Sequence, residues 1–199
     1  MLTICDINKG KHPLENKSKL LMEHLKLPNV DIFPKTPEFV EKFSPFFLQQ
    51  IKTKQTIQIL KDNWYISYCL EKNIKYMCFD KLLMIDIDNL SNDINITSHF
   101  HKQKDYAWSI YKSTRGYHVF CISREFAHDD LKTVEFMLNN FCDYYYTIFS
   151  FLRGFCVRLS HKQNKKGQLY KHLGIYGNTE LINSYLLLLT DSHVTYCDV

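Results

Sequence analysis

The sequence predicts an α+β fold, in which helices pack on a mainly antiparallel sheet and an N-terminal helical region precedes it. Three observations support this prediction. Apolar residues recur at helical spacing in the first third of the chain, whereas strand-like alternation dominates after residue 73. The two Trp, 13 Tyr and 14 Phe can fill a large core, and six Gly and five Pro favour short loops. We therefore expect a helical region over 1–73, packed on a core over 74–199.

The N-terminal region is expected to hold several helices. Leucines recur at helical spacing in residues 19–27. Pro37 and Pro45 each follow a Thr or a Ser, the pattern of a helix cap followed by proline in the first turn. Residues 55–71 place an Ile, a Leu and two aromatic side chains on one helical stripe, which predicts a further helix.

Strands are expected from residue 74 onward. Two apolar stretches, 74–79 and 82–88, have the length and composition of strands. Residues 106–112 and 117–123 form the arms of an expected hairpin, in which Gly116 supplies the turn.

The last third of the core mixes helix and strand patterns. A helix is expected over 128–141, with two aspartates in its first turn, and it extends into the aromatic run 144–151. Residues 155–160 and 169–176 have the pattern of a second strand pair joined by a polar loop. A final helix is expected over 179–189.

The net charge of +4 is mild, but its distribution is uneven. The stretch 153–172 is basic and contains no acidic residue; its charged side chains are Arg153, Arg158, Lys162, Lys165, Lys166 and Lys171. Such a run attracts phosphates where its side chains share one surface, so it is a candidate nucleic-acid interface. The alternative is a solvated loop beside a strand.

The seven Cys are an odd number without a CxxC pair, and no export signal begins the chain. We expect reduced thiols in an intracellular, non-secreted protein, mostly as small core residues. A zinc site from Cys156, His161, His172 and Cys197 is an alternative, although their spacing fits no common ligand pattern. No apolar run approaches the roughly 20 residues of a membrane helix, so no membrane association is expected.

The first chemically informative motif is a pair of aspartates in an apolar strand. Alternation along the strand puts Asp86 and Asp88 on one face and Ile85 and Ile87 on the other. Two carboxylates about 7 Å apart repel each other unless a cation lies between them. Oxygen ligands of this kind suit Mg²⁺ or Mn²⁺. The alternative is a strand end whose acids face water.

The second motif is the turn of the expected hairpin. A glycine-bearing turn with Ser113, Arg115 and His118 close together can bind an anion through backbone N–H groups and charged side chains. The alternative for His118 is a structural position in the core.

The third motif follows the aromatic run. Alternation puts Arg158 and Ser160 on the face opposite Val157 and Leu159. A cation in the middle of a strand needs an acid or a phosphate as its partner. The alternative to phosphate binding is a salt bridge to one of the aspartates.

Taken in this order, the motifs resemble those of the archaeo-eukaryotic primase superfamily, the primase-polymerases of archaea, eukaryotes, plasmids and large DNA viruses. Asp86-Ile87-Asp88 resembles its Asp-hydrophobic-Asp motif, and Ser113–His118 resembles Ser-Gly-Arg-Gly-x-His with Thr114 as the departure. The stretch Arg158–Lys162 loosely resembles the third motif. The resemblance covers about residues 74–178.

The resemblance implies an RRM-like core and a nucleotidyltransferase that adds NTPs or dNTPs on a single-stranded DNA template. It implies Mg²⁺ or Mn²⁺ as cofactor, and a helicase or other replication protein on a separate chain as partner. Asp86, Asp88 and His118 would be catalytic, with the two acids as metal ligands. The nucleotide would be bound by Ser113, Arg115, His118, Arg158 and Lys162. The basic run adds three candidates for nucleic-acid binding, Lys165, Lys166 and Lys171.

One departure from the family concerns its third metal-binding Asp. Residues 144–157 contain no Asp or Glu, so Asp143 is the nearest candidate for that role. Two alternative functions follow from this departure and from the motifs. One is a catalytically inactive protein that binds nucleic acid or nucleotide in a replication complex. The other is a metal-dependent nuclease that uses Asp86, Asp88 and His118.

Overall fold

The computed structural model describes residues 54–61, 64–69, 74–88, 94–160, 169–195 and 197, with the backbone alone in the first two ranges. The helices expected in 19–27 and after Pro37 and Pro45 lie outside the described residues. Within them, the chain is α+β, with antiparallel sheets and helices, as the sequence predicts.

The described elements follow one another in a mixed order. The strands are β1 (Lys54–Lys61), β2 (Trp64–Cys69), β3 (Ile74–Phe79), β4 (Met84–Asp88), β5 (Ala107–Lys112), β6 (Gly116–Cys121), β7 (Phe155–Arg158) and β8 (Lys171–Gly177). The helices are α1 (Ile96–Lys102), α2 (Leu131–Asn139), α3 (Tyr144–Arg153) and α4 (Ser184–Thr195), and a 3₁₀ turn covers Thr179–Leu181.

The described strands form two four-stranded sheets, and every neighbouring pair is antiparallel. The first sheet has the order β1-β2-β3-β7, and the second has the order β4-β6-β5-β8. The two sheets adjoin where β7 packs beside β4.

The helix predicted over 55–71 is wrong, because the structure has β1 and β2 there. The sequence of β1 alternates polar and apolar residues at Thr56, Ile57, Gln58 and Ile59, which is the two-residue period of a strand. Its apolar positions also fit a helical stripe, so the local pattern alone allows both structures. The pairing of β2 with β3 favours strands over a helix in this stretch.

The pairing predicted between 155–160 and 169–176 is also wrong. β7 pairs with β3 in the first sheet, whereas β8 pairs with β5 in the second. Three consecutive residues of β7 are buried, which suits a covered position between β3 and β4. Because β8 is exposed or half-buried along its whole length, it suits the outer edge of a sheet.

Several local predictions are confirmed with small shifts in their ends. β3, β4, the β5–β6 hairpin and α2 lie where the sequence places them. The predicted extension of α2 into 144–151 is wrong, because a turn over 140–143 separates α2 from α3. The final helix begins at Ser184 rather than near Thr179. Helix α1 was not predicted; the Asn95 side chain caps it by accepting a hydrogen bond from the N–H of Ser98.

The second sheet has two different faces. Trp108 on β5 contacts Phe100 of α1, with ring centroids 4.8 Å apart, and stacks on Phe136 of α2 at 6.1 Å. Helices α1 and α2 therefore cover this face. The register puts Asp86 and His118 on the opposite face. Helix α4 packs against this face, where its His193 contacts Tyr111 of β5.

Two expectations about the whole chain can be compared with the described residues. None of the helices in the described ranges is long and apolar enough to cross a membrane. The cysteines whose side chains the structure describes are thiols and not disulfides, namely Cys78, Cys121, Cys142, Cys156 and Cys197. All but Cys197 are buried, as expected of small core residues.

Candidate active site

The strand pair β4–β6 brings the first two motifs together. Asp86 lies opposite His118 and Asp88 lies opposite Gly116, so the two carboxylates share a face. Ile85 and Ile87 are fully buried on the other face. Asp88 is exposed at the strand end, while Asp86 is half-buried. The structure thus places these side chains as alternation along the strand predicts.

Gly116 permits this close pairing. A Cβ at Gly116 would lie 1.6 Å from the carbonyl oxygen of Ile87, far inside contact distance. The glycine therefore serves the approach of β6 to β4. Gly116 is the first residue of β6 and is not among the residues with positive φ, so the turn of the predicted hairpin lies over 113–115, just before the glycine.

The turn between β5 and β6 is closed by Ser113. The N–H of Gly116 donates to Ser113 Oγ at 3.1 Å, and the N–H of Ser113 donates to the Gly116 carbonyl at 3.0 Å. Thr114 and Arg115 are exposed at the tip. The Ser113 hydroxyl accepts one hydrogen bond here, so its own proton remains able to donate to an anion.

His118 is the partner of Asp86. Its Nε2 lies 3.3 Å from Asp86 Oδ1, and because a carboxylate only accepts, this nitrogen carries the proton. The ring is 8% exposed, and its Nδ1 is buried without a hydrogen-bond partner among the described residues. The His118 ring is therefore largely buried, and its contact with Oδ1 orients the carboxylate of Asp86.

Asp143 reaches the site through its backbone. Its N–H donates to the carbonyl of Asp86 at 2.6 Å. Its Oδ1 accepts from the N–H of Tyr146 at 2.8 Å and so caps α3, and its carbonyl accepts from Thr147 N–H and Oγ1, both at 2.9 Å. Asp143 therefore lies at a helix start, next to the strand that carries the paired aspartates.

Cys142, the residue before Asp143, is also close to Asp86. The Cys142 thiol is buried, and burial is the main reason that its pKa is raised. The charges of Asp86 and Asp143 raise that pKa further. Both carboxylates therefore lie within electrostatic reach of one thiol.

The donor atoms fit a hard divalent cation in part. In the described ranges, no group of three or more His, Cys, Asp or Glu side chains is close enough to hold a metal ion. Mg²⁺ is commonly held by one or two carboxylates, several waters and the phosphates of a substrate. Asp86 and Asp88 meet that smaller requirement, so their oxygens fit such an ion when phosphates complete the shell.

The third motif meets the second through Tyr170. The hydroxyl of Tyr170 donates to the carbonyl of Arg158 at 2.5 Å, and its ring lies 4.6 Å from the His118 ring. The pKa of Tyr170 is raised, mainly by burial. The charge of Arg158 lowers this pKa, and the charge of Asp86 raises it. Arg158 and Asp86 thus act on the same hydroxyl from two different sheets. Tyr170 was not predicted as a site residue, because its contacts join strands that are distant in sequence.

The remaining residues of the third motif and of the basic run have different positions. The Ser160 hydroxyl accepts from the N–H of Lys75 at 2.8 Å, which is a structural bond of the first sheet. Arg158 is half-buried, and no carboxylate in the described part of the chain forms an ion pair with it. The alternative of an Arg158–aspartate salt bridge is therefore not found there. Lys171 is exposed at the start of β8, and Lys162, Lys165 and Lys166 lie outside the described residues.

Comparison with protein-family models, with curated proteins and with solved structures finds no match to this chain.

Proposed function

We propose that this protein is a nucleotidyltransferase that adds nucleotides along a single-stranded DNA template, like the primase-polymerases that its motifs resemble. One observation carries the proposal: Asp86, Asp88 and His118 share one face of the second sheet, where Asp86 and His118 are in contact. The backbone bond from Asp143 to Asp86 adds a third carboxylate residue to the neighbourhood.

We further propose that the second sheet and its helices form an RRM-like core. In chain order its elements are β4, α1, β5, β6, α2, α3 and β8. Helices α1 and α2 cover the face of Trp108, so the carboxylates lie on the face that these two helices leave uncovered.

The acidic residues have distinct roles in this proposal. Asp86 and Asp88 would hold Mg²⁺ or Mn²⁺ together with the phosphates of an NTP or dNTP, and the bound ion would offset charge on those phosphates. His118 holds the Asp86 carboxylate in place through Nε2. Asp143 keeps the start of α3 against β4.

The basic and hydroxyl groups would bind phosphates. Arg115 at the turn tip and the Ser113 hydroxyl would contact the triphosphate of the nucleotide, and Arg158 and Lys162 would add positive charge. The backbone of the template would be bound by Lys165, Lys166 and Lys171. A helicase or another replication protein on a separate chain would supply the single strand.

A second function is favoured by a specific observation. The described residues contain no cluster of three potential metal ligands. Two metal-binding carboxylates among those described residues fit the alternative of a catalytically inactive member that binds nucleotide or single-stranded DNA.

Primer extension tests the proposal. Purified protein is incubated with a primed single-stranded template, labelled dNTP or NTP, and Mn²⁺ or Mg²⁺. We expect extension by the wild type, and a loss of more than about a hundredfold in Asp86→Asn and Asp88→Asn, beyond the range for residues that merely support a metal ligand. Asp105→Asn is the matched control, because Asp105 is exposed just before the start of β5, whereas the carboxylates lie near the end of β5.

The outcomes separate the two functions. Equal extension by wild type and the Asp86→Asn, Asp88→Asn double variant would refute the assignment of the site. Single-strand binding measured by fluorescence anisotropy, without extension under any metal condition, would favour the inactive binding protein.

A further inference from the structure

The turn between α2 and α3 has an unusual backbone. Phe141 has φ 65°, and it is the one non-glycine residue with positive φ in the described part of the chain. Bulky side chains rarely adopt this conformation, and it persists where the surroundings hold it in place. The turn over 140–143 therefore requires neighbours that fix it.

Asn140 fixes the turn to α1. Its side chain is 5% exposed, and its Nδ2 donates to the carbonyl of Phe136 at 2.8 Å. Its Oδ1 accepts from Gln103 Nε2 at 2.5 Å and lies 3.0 Å from His99 Nε2. The amide of Asn140 is thus bonded on both its donor and its acceptor sides.

The ring of Phe141 is held by the same helix. It packs edge-on against the His99 ring, with centroids 4.8 Å apart. His99 therefore contacts both residues at the start of the turn. Together these contacts account for a conformation that an unsupported Phe would avoid.

The turn determines where the following residues lie. The N–H of Cys142 donates back to the carbonyl of Met137 at 3.1 Å, and the N–H of Asp143 donates to the carbonyl of Asp86. Only four residues separate α2 from α3, so a change of conformation at Asn140 or Phe141 displaces the amide of Asp143 from β4.

We propose that Asn140 is a positioning residue of the carboxylate site: held by His99 of α1 and by Gln103, which caps the end of α1, it fixes the turn that places Asp143 against Asp86. The role of the carboxylates in binding a metal ion rests on the proposed function. The placement of Asp143 against β4 does not rest on the proposed function. The proposed function and this positioning role can therefore fail separately.

The test compares Asn140→Ala with Asn183→Ala. Asn183 is the control, because its side-chain Oδ1 also accepts two hydrogen bonds, here from backbone N–H groups at the start of α4, and its own N–H donates to the Ile122 carbonyl beyond the far end of β6. Two readouts are used: hydrogen exchange of the Asp143 amide by NMR, and Mn²⁺ affinity by titration calorimetry. The amide of Val119 in β6 reports global opening.

We expect Asn140→Ala to speed exchange of the Asp143 amide by about tenfold relative to Val119, which corresponds to the loss of roughly one hydrogen bond. We expect its Kd for Mn²⁺ to rise by about tenfold, as for other residues that support metal ligands. Asn183→Ala should leave both the relative exchange and the Mn²⁺ affinity at wild-type values.

Equal acceleration at Asp143 and Val119 in Asn140→Ala would mean that Asn140 is only structural, and would overturn the proposal. So would an unchanged Asp143 amide. If Asn140→Ala does not fold, Gln103→Ala removes one partner of Asn140 and is judged by the same exchange ratio. This readout requires neither metal nor activity, so it decides the proposal even if the wild type extends no primer.

Discussion

Asp86 is the residue on which the contacts of the candidate site converge. Its side chain meets His118 Nε2, and its carbonyl accepts from the N–H of Asp143. Its charge also raises the pKa of Tyr146, after the larger effect of burial. Because different neighbours hold its backbone and its carboxylate, a substitution of the carboxylate leaves the backbone link in place.

Gly116 is the residue whose substitution should disturb this arrangement most. We expect Gly116→Ala to lower the free energy of unfolding by at least about 3 kcal/mol, since the added methyl meets the backbone of β4 and forces the strands apart. Urea denaturation measures this loss. Thr114→Ala, exposed in the same turn, should change the free energy by less than about 0.5 kcal/mol. A folded Gly116→Ala protein of wild-type stability would contradict the strand register.

At the scale of elements, α4 carries a histidine with no access to solvent. His193 is 0% exposed and lies among the rings of Tyr111, Phe120 and Tyr170. Its Nδ1 donates to the carbonyl of Thr190, and its Nε2 has no partner among the described residues. Burial lowers the pKa of His193 to about 3, with smaller contributions from His118 and His172, while the Thr190 carbonyl opposes the shift.

This histidine should make stability depend on pH. Between about pH 6.5 and pH 3 the unfolded chain binds a proton at His193 and the folded protein does not, so stability falls as the pH falls. The slope from this one group is at most about 1.4 kcal/mol per pH unit. We expect His193→Phe to lose that contribution, measured as the difference between wild-type and variant unfolding free energies across this range. Parallel curves for the two proteins would show that His193 is protonated in the fold.

The elements that could be predicted are those whose signal is local. The β5–β6 hairpin and α2 follow from alternation and spacing within one stretch of sequence, and so does the shared face of Asp86 and Asp88. The failures come from ambiguous or distant information. The stretch 55–71 fits two periodicities, and pairing with β3 decides between them. The partners of β7 and β8 depend on contacts that no local pattern encodes.

The same distinction applies to the site. The break between α2 and α3 had a local signal, because Asp143 is a favourable cap residue three positions before Tyr146. The bonds of Asn140 to α1 and of Tyr170 to Arg158 depend on the folded chain. Sequence patterns offered no reason to single out Asn140 or Tyr170.

At the scale of the whole molecule, the site lies where the two sheets meet. β7 of the first sheet adjoins β4 of the second, and Tyr170 contacts the Arg158 carbonyl on one side and the His118 ring on the other. Lys171 follows directly and is exposed. Arg158 and Lys171 of the basic run 153–172 are therefore both neighbours of Tyr170, and under the proposed function a template would pass here.

Salt dependence tests this path for the template. We expect Lys165→Ala with Lys166→Ala to make the slope of log affinity against log salt shallower by about 1.4, because each single-strand phosphate that a lysine neutralises contributes roughly 0.7 to that slope. The effect should be the same for all template sequences, because binding to phosphates carries no base information. Anisotropy at several salt concentrations measures the slope.

The control for that measurement removes the same charge elsewhere. Lys81 and Lys132 are both exposed, and Lys81 pairs with Glu125 on the surface. Their double replacement by Ala should leave the slope at its wild-type value. Equal changes in the two double variants would indicate a general effect of net charge and would remove the basic run from the template path.

The backbone bond between Asp143 and Asp86 has a consequence for protein engineering. Since the main-chain N–H makes the link, position 143 can carry any residue except proline without losing it. Asn, Ser and Thr would also retain the helix cap on α3. The chain thus holds one backbone position at the start of α3, against the strand of the paired aspartates, while the side chain at that position stays open to choice, so its charge, size and ligand type can be varied by design.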